Sequence, residues 1–350
     1  MSTTKPKKIG ILTAGGDCPG LNAAIRGVGK TAIVNYGMTV LGFNAGYLGL
    51  INNDYFELKE SQLSGILTLG GTILGTSREK PFKMVKNGAK NLHKPERIKQ
   101  TYKDLDLDCV VCIGGNGTMK TAHMLSKEGM NIIGIPKTID NDVWGTDVTF
   151  GFDSAVQIAT DAIDRLHTTA NSHQRVMIIE IMGHHAGWLA LYSGLAGGGD
   201  IILLPELDYN IRSVCKKIES RYEDNKPYSI VVVAEGINHP KGKTAASHVA
   251  EAINTYTGIE TRQTVLGYIQ RGGSPTPMDR ILATQYGAYA AQSIAEGNFG
   301  TMVAIKNNKL TTVPLEEVGG KLRLVEPELP LINKARKMGV SFGDEFLNKG

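Results

Sequence analysis

Seven residues, Pro136-Lys-Thr-Ile-Asp-Asn-Asp142, bring together a cation, a hydroxyl and two carboxylates. They follow the apolar run 132–135, which reads as a strand that stops at Pro136. In open α/β sheets ligands gather beyond the carboxyl ends of the strands, so this segment belongs to a ligand edge. In an extended stretch Asp140 and Asp142 face one side. Two adjacent carboxylates repel each other unless a metal or a proton transfer uses them. A Mg²⁺ bridging phosphates, with a carboxylate taking the proton of an attacking hydroxyl, would use both. Asp and Asn also favour plain surface turns, and on these residues alone that reading stays open.

Two further turns carry glycine pairs after apolar runs: Gly15-Gly16-Asp17 and Gly114-Gly115-Asn116-Gly117-Thr118. Glycine lets a backbone approach a phosphate closely, and a following helix offers free N–H groups and a positive dipole end. Neither turn has the Gly-Lys-Ser/Thr ending of a P-loop or the G-x-G-x-x-G spacing of a dinucleotide fingerprint. Arginines recur near strand ends at Arg78, Arg175, Arg262 and Arg271. Guanidinium groups match phosphate oxygens bidentately, so the set points to two anionic sites, a donor and an acceptor. His184 and His185 are neighbours and diverge in any regular element, so metal binding by the pair is not expected.

These groups need a scaffold of alternating strands and helices. Strands are expected at 9–13, 38–43, 109–113, 132–135, 176–181, 201–204, 229–234 and 264–269. Helices are expected over about 20–28, 119–128 and 152–169. Strand, loop, helix, strand is the pattern of parallel sheets with right-handed crossovers. A length of 350 residues suggests two domains, and no low-complexity linker divides them, so the chain should cross between domains more than once. Hydrophobic residues at 41% and charged residues at 21% fit a compact protein and exclude general disorder. The net charge of +4 is too small to argue for nucleic acid. No apolar stretch is long enough for a membrane helix, so no membrane partner is expected. Four cysteines do not make a disulfide framework in a chain of this length, and a cytoplasmic location is the expectation. Cys109 and Cys112 lie three apart on one apparent strand, hence on opposite faces, and read as core.

The ordered set of motifs resembles the phosphofructokinase family to about residue 300. The segments are Gly15-Gly-Asp-Cys-Pro-Gly-Leu-Asn-Ala-Ala-Ile-Arg26, Gly46-Tyr-Leu-Gly49, Leu74-Gly-Thr-Ser-Arg78 and Gly114-Gly-Asn-Gly-Thr118. Pro136-Lys-Thr-Ile-Asp-Asn-Asp142, Thr149-Phe-Gly-Phe152, Ser172-His-Gln-Arg175, Met182-Gly183 and Glu235-Gly236 continue it. Glu260-Thr-Arg262 and Leu266-Gly-Tyr-Ile-Gln-Arg-Gly-Gly-Ser-Pro275 complete it. The resemblance implies two Rossmann-like α/β domains with mainly parallel sheets and the active site in the cleft between them. Residues 1–151 with about 271–320 would form the phosphoryl-donor domain. About 152–270 with 321–350 would form the sugar-phosphate domain.

The implied reaction is Mg²⁺-dependent phosphoryl transfer to the 1-hydroxyl of fructose 6-phosphate. Asp140 falls where the family has its proton acceptor, with Thr138 and Arg175 beside it in catalysis. Thr138, Ile139, Asp140, Arg175, Met182, Gly183, His184, Glu235, Arg262, Tyr268 and Arg271 fall at sugar-phosphate positions. Arg175 and Arg262 match residues that reach the 6-phosphate from a neighbouring subunit, which implies a homotetramer. Gly15, Arg78, Glu79, Gly115, Asn116, Gly117 and Thr118 match the donor site, and Asn116 and Asp142 the metal side.

Several positions depart from the bacterial ATP-using relatives. Asn116 stands for an aspartate, His184 for an arginine, Tyr268 for a histidine and Thr121 for a glycine. Lys137 stands for a glycine and is frequent in pyrophosphate-using relatives. Gly117 points the other way, because aspartate there obstructs a nucleotide. ATP is therefore the first expectation for the donor and pyrophosphate the second. A non-catalytic sugar-phosphate-binding homologue is the alternative of another class, and retention of Asp140, Asp142, Arg175 and Arg271 argues against it. A nucleotide-binding oxidoreductase is weakened by the missing fingerprint.

Overall fold

A computed structural model describes residues 7–83 and 93–345. The chain divides into two compact units. The first holds residues up to Thr138, then Asp142–Asp153 and Arg271–Leu322; the second holds Ile139–Asn141, Ser154–Gln270 and the residues from Arg323 on. The chain therefore changes unit five times, after Thr138, Asn141, Asp153, Gln270 and Leu322.

Among the described residues, seven strands form the sheet of the first unit. Their spatial order is Lys309–Pro314, Thr301–Lys306, Ile132–Pro136, Cys109–Gly114, Lys8–Thr13, Thr39–Phe43 and Tyr55–Glu57. The inner pairs are parallel, and the two edge strands run antiparallel. Cys109–Gly114 and Ile132–Pro136 are buried along their whole length, as parallel strands covered on both faces must be. Thr13 lies in register with Ile113, and Gly114 with Pro136. Three successive strands therefore end together, and the loops at Gly15, Gly115 and Lys137 leave one edge of the sheet. Leu12, Phe43, Val110, Cys112, Ile132 and Met302 belong to the core beneath that edge.

The second unit carries a parallel four-stranded sheet in the order Ile201–Leu203, Ser229–Ala234, Val176–Ile181 and Thr261–Val265. Val176–Ile181 and Ser229–Ala234 are again buried throughout. The expected strand 264–269 is displaced. The strand runs Thr261–Val265 in register with Val176–Glu180, and Gly267, at φ 54°, turns the chain into a short 3-10 helix, Gly267–Arg271. The helix expected from Met119 begins three residues earlier, at Asn116, with Gly115 as its cap. No described helix is long and apolar enough to cross a membrane. All four cysteines are free and buried.

Candidate active site

In the first unit the Gly15–Asp17 loop is held against two cations. The Lys137 ammonium donates to the Gly16 carbonyl, and Lys137 itself is only 3% exposed. The Arg271 guanidinium lies on the other side, its Nη1 donating to the Asp17 carbonyl at 3.3 Å. A Cβ on Gly16 would sit 2.5 Å from that Nη1, so glycine is what lets Arg271 approach. Gly15 has φ 87°, donates its N–H to Ser77 O at 2.9 Å and accepts from Thr76 Oγ1 at 2.7 Å. These bonds fix the stretch that carries Arg78, which is exposed, and Glu79, which pairs with Lys94 at 2.9 Å. A glycine loop flanked by a buried lysine and an arginine is suited to hold phosphate.

Gly115 caps the helix Asn116–Lys127 without a side-chain acceptor, so the first N–H groups of the helix are offered to a ligand. Thr118 is buried, and its carbonyl accepts the Tyr47 hydroxyl at 3.0 Å. Gly117 is exposed, and a Cβ there would meet no atom within 4 Å. Asn116 donates Nδ2 to the Asp142 carboxylate at 2.8 Å and to its carbonyl at 3.2 Å. Its own Oδ1 is buried and accepts no hydrogen bond among the described residues. A buried amide oxygen beside a carboxylate is the kind of hard donor pair that Mg²⁺ accepts, with phosphate oxygens and water completing the shell. No group of three or more His, Cys, Asp or Glu among the described residues could hold a metal without such help.

Burial pushes the nearby Cys18 thiol up to about 12 against the opposing charges of Lys137 and Arg271, so it is a neutral core group and not a nucleophile.

The segment between Lys137 and Asp142 is not extended. Asn141 has φ 52°, a left-handed conformation, so the expectation that Asp140 and Asp142 share a face by strand alternation fails. Thr138 is buried, its carbonyl accepting Thr149 Oγ1 at 2.8 Å. Ile139 is fully buried and Asp140 half-buried.

In the second unit one carboxylate organises two arginines. Arg175 lies between the helix Phe152–His173 and the strand Val176–Ile181, and its Nε donates to Glu260 Oε2 at 2.5 Å. Arg262, on the neighbouring strand, pairs with the other oxygen of Glu260. Desolvation opposes the shift, but the two guanidiniums hold the Glu260 carboxyl below its ordinary range. A second carboxylate, Glu235, accepts the backbone N–H of Gly183 at 3.2 Å and of His184 at 2.7 Å. Gln270 accepts the Met182 N–H at 2.9 Å. His184 has φ 53°, which brings its ring edge-on to His185 with centroids 3.8 Å apart. The two histidines therefore do not diverge, because the turn is not a regular element. Tyr268 is 73% exposed on the 3-10 turn.

The residues nominated from sequence thus fall into two sets. Gly15, Arg78, Glu79, Gly115–Thr118, Lys137, Thr138, Asp142 and Arg271 belong to the first unit, and Ile139, Asp140, Arg175, Met182–His184, Glu235, Arg262 and Tyr268 to the second. Glu260 and Gln270 were not nominated for roles. Glu260 stands two residues before Arg262, but nothing in that spacing says that it also pairs with Arg175.

Phosphate-type glycine loops at the strand ends of the first unit and, in the second unit, an arginine pair on one carboxylate are the features of an α/β phosphotransferase. The phosphofructokinase family model matches residues 8–294, and the chain belongs to that family. It is 59% identical to the ATP-dependent 6-phosphofructokinase 3 of Bacteroides thetaiotaomicron, over 96% of this chain and all of that one. It is 53% identical to the ATP-dependent 6-phosphofructokinase of Spirochaeta thermophila, over 98% of this chain and all of that one. Among solved structures, Pichia pastoris phosphofructokinase in the T-state superposes with a TM-score of 0.81 at 32% identity, over 91% of this chain and 36% of that one.

Proposed function

We infer that this chain is an ATP-dependent 6-phosphofructokinase. It transfers the terminal phosphoryl group of ATP to the 1-hydroxyl of fructose 6-phosphate, giving fructose 1,6-bisphosphate and ADP, a step of glycolysis. The observation that carries this is 59% identity along the whole length of a relative named for that activity and that donor. The open space at Gly117 agrees with a nucleotide donor.

In the proposed mechanism the Gly15–Asp17 loop, Arg78 and the N-terminus of helix Asn116–Lys127 hold the donor phosphates, and Lys137 balances charge on the phosphoryl group in flight. Asp142 and Asn116 Oδ1 would hold a Mg²⁺, which would supply charge neutralisation on those phosphates. Asp140 takes the proton of the 1-hydroxyl as the oxygen attacks, and Thr138 helps orient that hydroxyl. Arg175, Arg262 and Arg271 bind the sugar 6-phosphate, and Met182, Gly183 and Glu235 the sugar itself. The catalytic contribution of this chain is mostly positioning and electrostatics.

The active species is proposed to be a homotetramer in which Arg175 and Arg262 serve a neighbour's sugar site. Exposed Val265, Tyr268 and Ile269 beside Arg262 support a surface that another copy covers. The buried Lys137 favours pyrophosphate as the second reading of the donor, since a donor without a nucleoside relies on charge alone. A coupled assay with fructose 6-phosphate separates the two. ATP should support turnover and pyrophosphate should not; turnover with pyrophosphate alone would reverse the assignment.

A further inference from the structure

Asn141, one residue after the proposed base, combines a left-handed φ of 52° with almost complete burial. Asparagine tolerates this region better than most residues, yet such a conformation persists only where the surroundings fix it. One group that holds it comes from beyond the span matched by the family model, residues 8–294. Arg323 Nη1 donates to the Asn141 carbonyl at 3.1 Å. The same guanidinium lies 4.0 Å from the centroid of the Trp188 ring. Trp188 in turn donates its indole N–H to the Arg323 carbonyl at 2.9 Å.

Glu206 closes the assembly. It accepts the N–H of Gly187 at 2.9 and 3.1 Å and that of Val325 at 2.9 Å. Burial raises its carboxyl above the ordinary range, and these backbone donors act against that. Residues 323–325 are thereby pinned to the start of the helix Trp188–Ala196 on both sides of the stacked guanidinium. All of these residues belong to the second unit, as does Asp140.

We propose that Arg323 is a positioning residue for phosphoryl transfer: stacked on Trp188, it holds the Asn141 carbonyl and thereby sets the orientation of Asp140. This rests on the reading of Asp140 as the proton acceptor. Arg323 acts through the backbone and needs no contact with substrate. Small displacements of a catalytic group are costly, since about 1 Å of misplacement can lower a rate about a hundredfold.

The test compares Arg323→Ala and Arg323→Lys with wild type in steady-state kinetics and in amide hydrogen exchange over residues 139–142. Arg323→Ala should lose kcat by about ten- to a hundredfold, while KM for both substrates stays within about threefold. Low-millimolar guanidinium ion should restore part of that kcat, and Arg323→Lys, which keeps a donor, should be intermediate. Exchange at 139–142 should accelerate in Arg323→Ala. A kcat within about twofold of wild type would overturn the proposal. So would a loss shared between kcat and KM with neither guanidinium rescue nor benefit from lysine, which marks a merely structural role. If wild type itself fails to phosphorylate fructose 6-phosphate, the functional reading fails. The exchange arm then decides the positioning claim alone, and unchanged protection in Arg323→Ala overturns it.

Discussion

Asn116 gives its amide N–H to the Asp142 carboxylate at 2.8 Å and keeps its own oxygen buried and without a hydrogen bond among the described residues. An aspartate at position 116 would face Asp142 as a like charge. The amide orders that carboxylate and, on the proposed metal reading, would present one oxygen to a cation. Groups that orient metal ligands typically change metal affinity by ten- to a hundredfold. Asn116→Ala should therefore raise the Mg²⁺ concentration for half-maximal activity by about tenfold, with kcat at saturating Mg²⁺ much less affected. An unchanged Mg²⁺ dependence would remove Asn116 from the metal side.

On the proposed reading, a substitution at Gly117 should separate donor choice from folding. A side chain there meets no protein atom within 4 Å, and it lies in the first turn of a helix, where an acidic group is favourable. Gly117→Asp should leave the thermal midpoint unchanged or slightly raised. It should lower kcat/KM for ATP by at least about a hundredfold through charge and bulk beside the nucleotide phosphates. Thermal unfolding with donor kinetics checks both halves, and ATP use near the wild-type level would show that position 117 does not border the nucleotide.

Much of this architecture was legible because fully buried parallel strands read as short apolar runs. Residues 109–113, 176–181 and 229–234 match observed strands closely for that reason. What was missed has physical causes. The strand Thr261–Val265 is largely solvent-facing, so its polar residues hid it and the apolar Leu266 and Ile269 drew the expectation too far along. The hairpin Thr301–Lys306 to Lys309–Pro314 turns on Asn307 and Asn308, both at positive φ, a turn signal that was not read. The glycine turns and the 136–142 segment do follow strand ends, as the apolar runs before them implied. Pairings across long stretches of chain left no spacing to read: Arg175 with Glu260, Asn116 with Asp142, and Arg323 with Asn141.

Alkaline pH should destabilise the protein through its buried thiols and phenols. Burial pushes Cys18 and Cys112 up to about 12 and Cys215 to about 11, from an ordinary value of 9.0. Burial also raises Cys109, Tyr47 and Tyr286. Above about pH 9 the unfolded chain releases protons that the folded chain retains, so the unfolded state binds fewer protons and stability falls with pH. Denaturant midpoints should be flat from pH 7 to about 8.5 and decline steadily above that. A midpoint constant to pH 10.5 would contradict the burial of these groups.

In the proposed mechanism Asp140 takes the proton from the 1-hydroxyl. Asp140→Asn keeps the shape of the side chain and removes the base. The decisive measurement is kcat and KM for fructose 6-phosphate with ATP in wild type and in this variant. Positioned proton transfer contributes about 10²–10⁴ in rate, so kcat should fall by at least about a hundredfold while KM for the sugar stays within about threefold. A variant that retains more than about a third of the wild-type kcat would contradict the assignment.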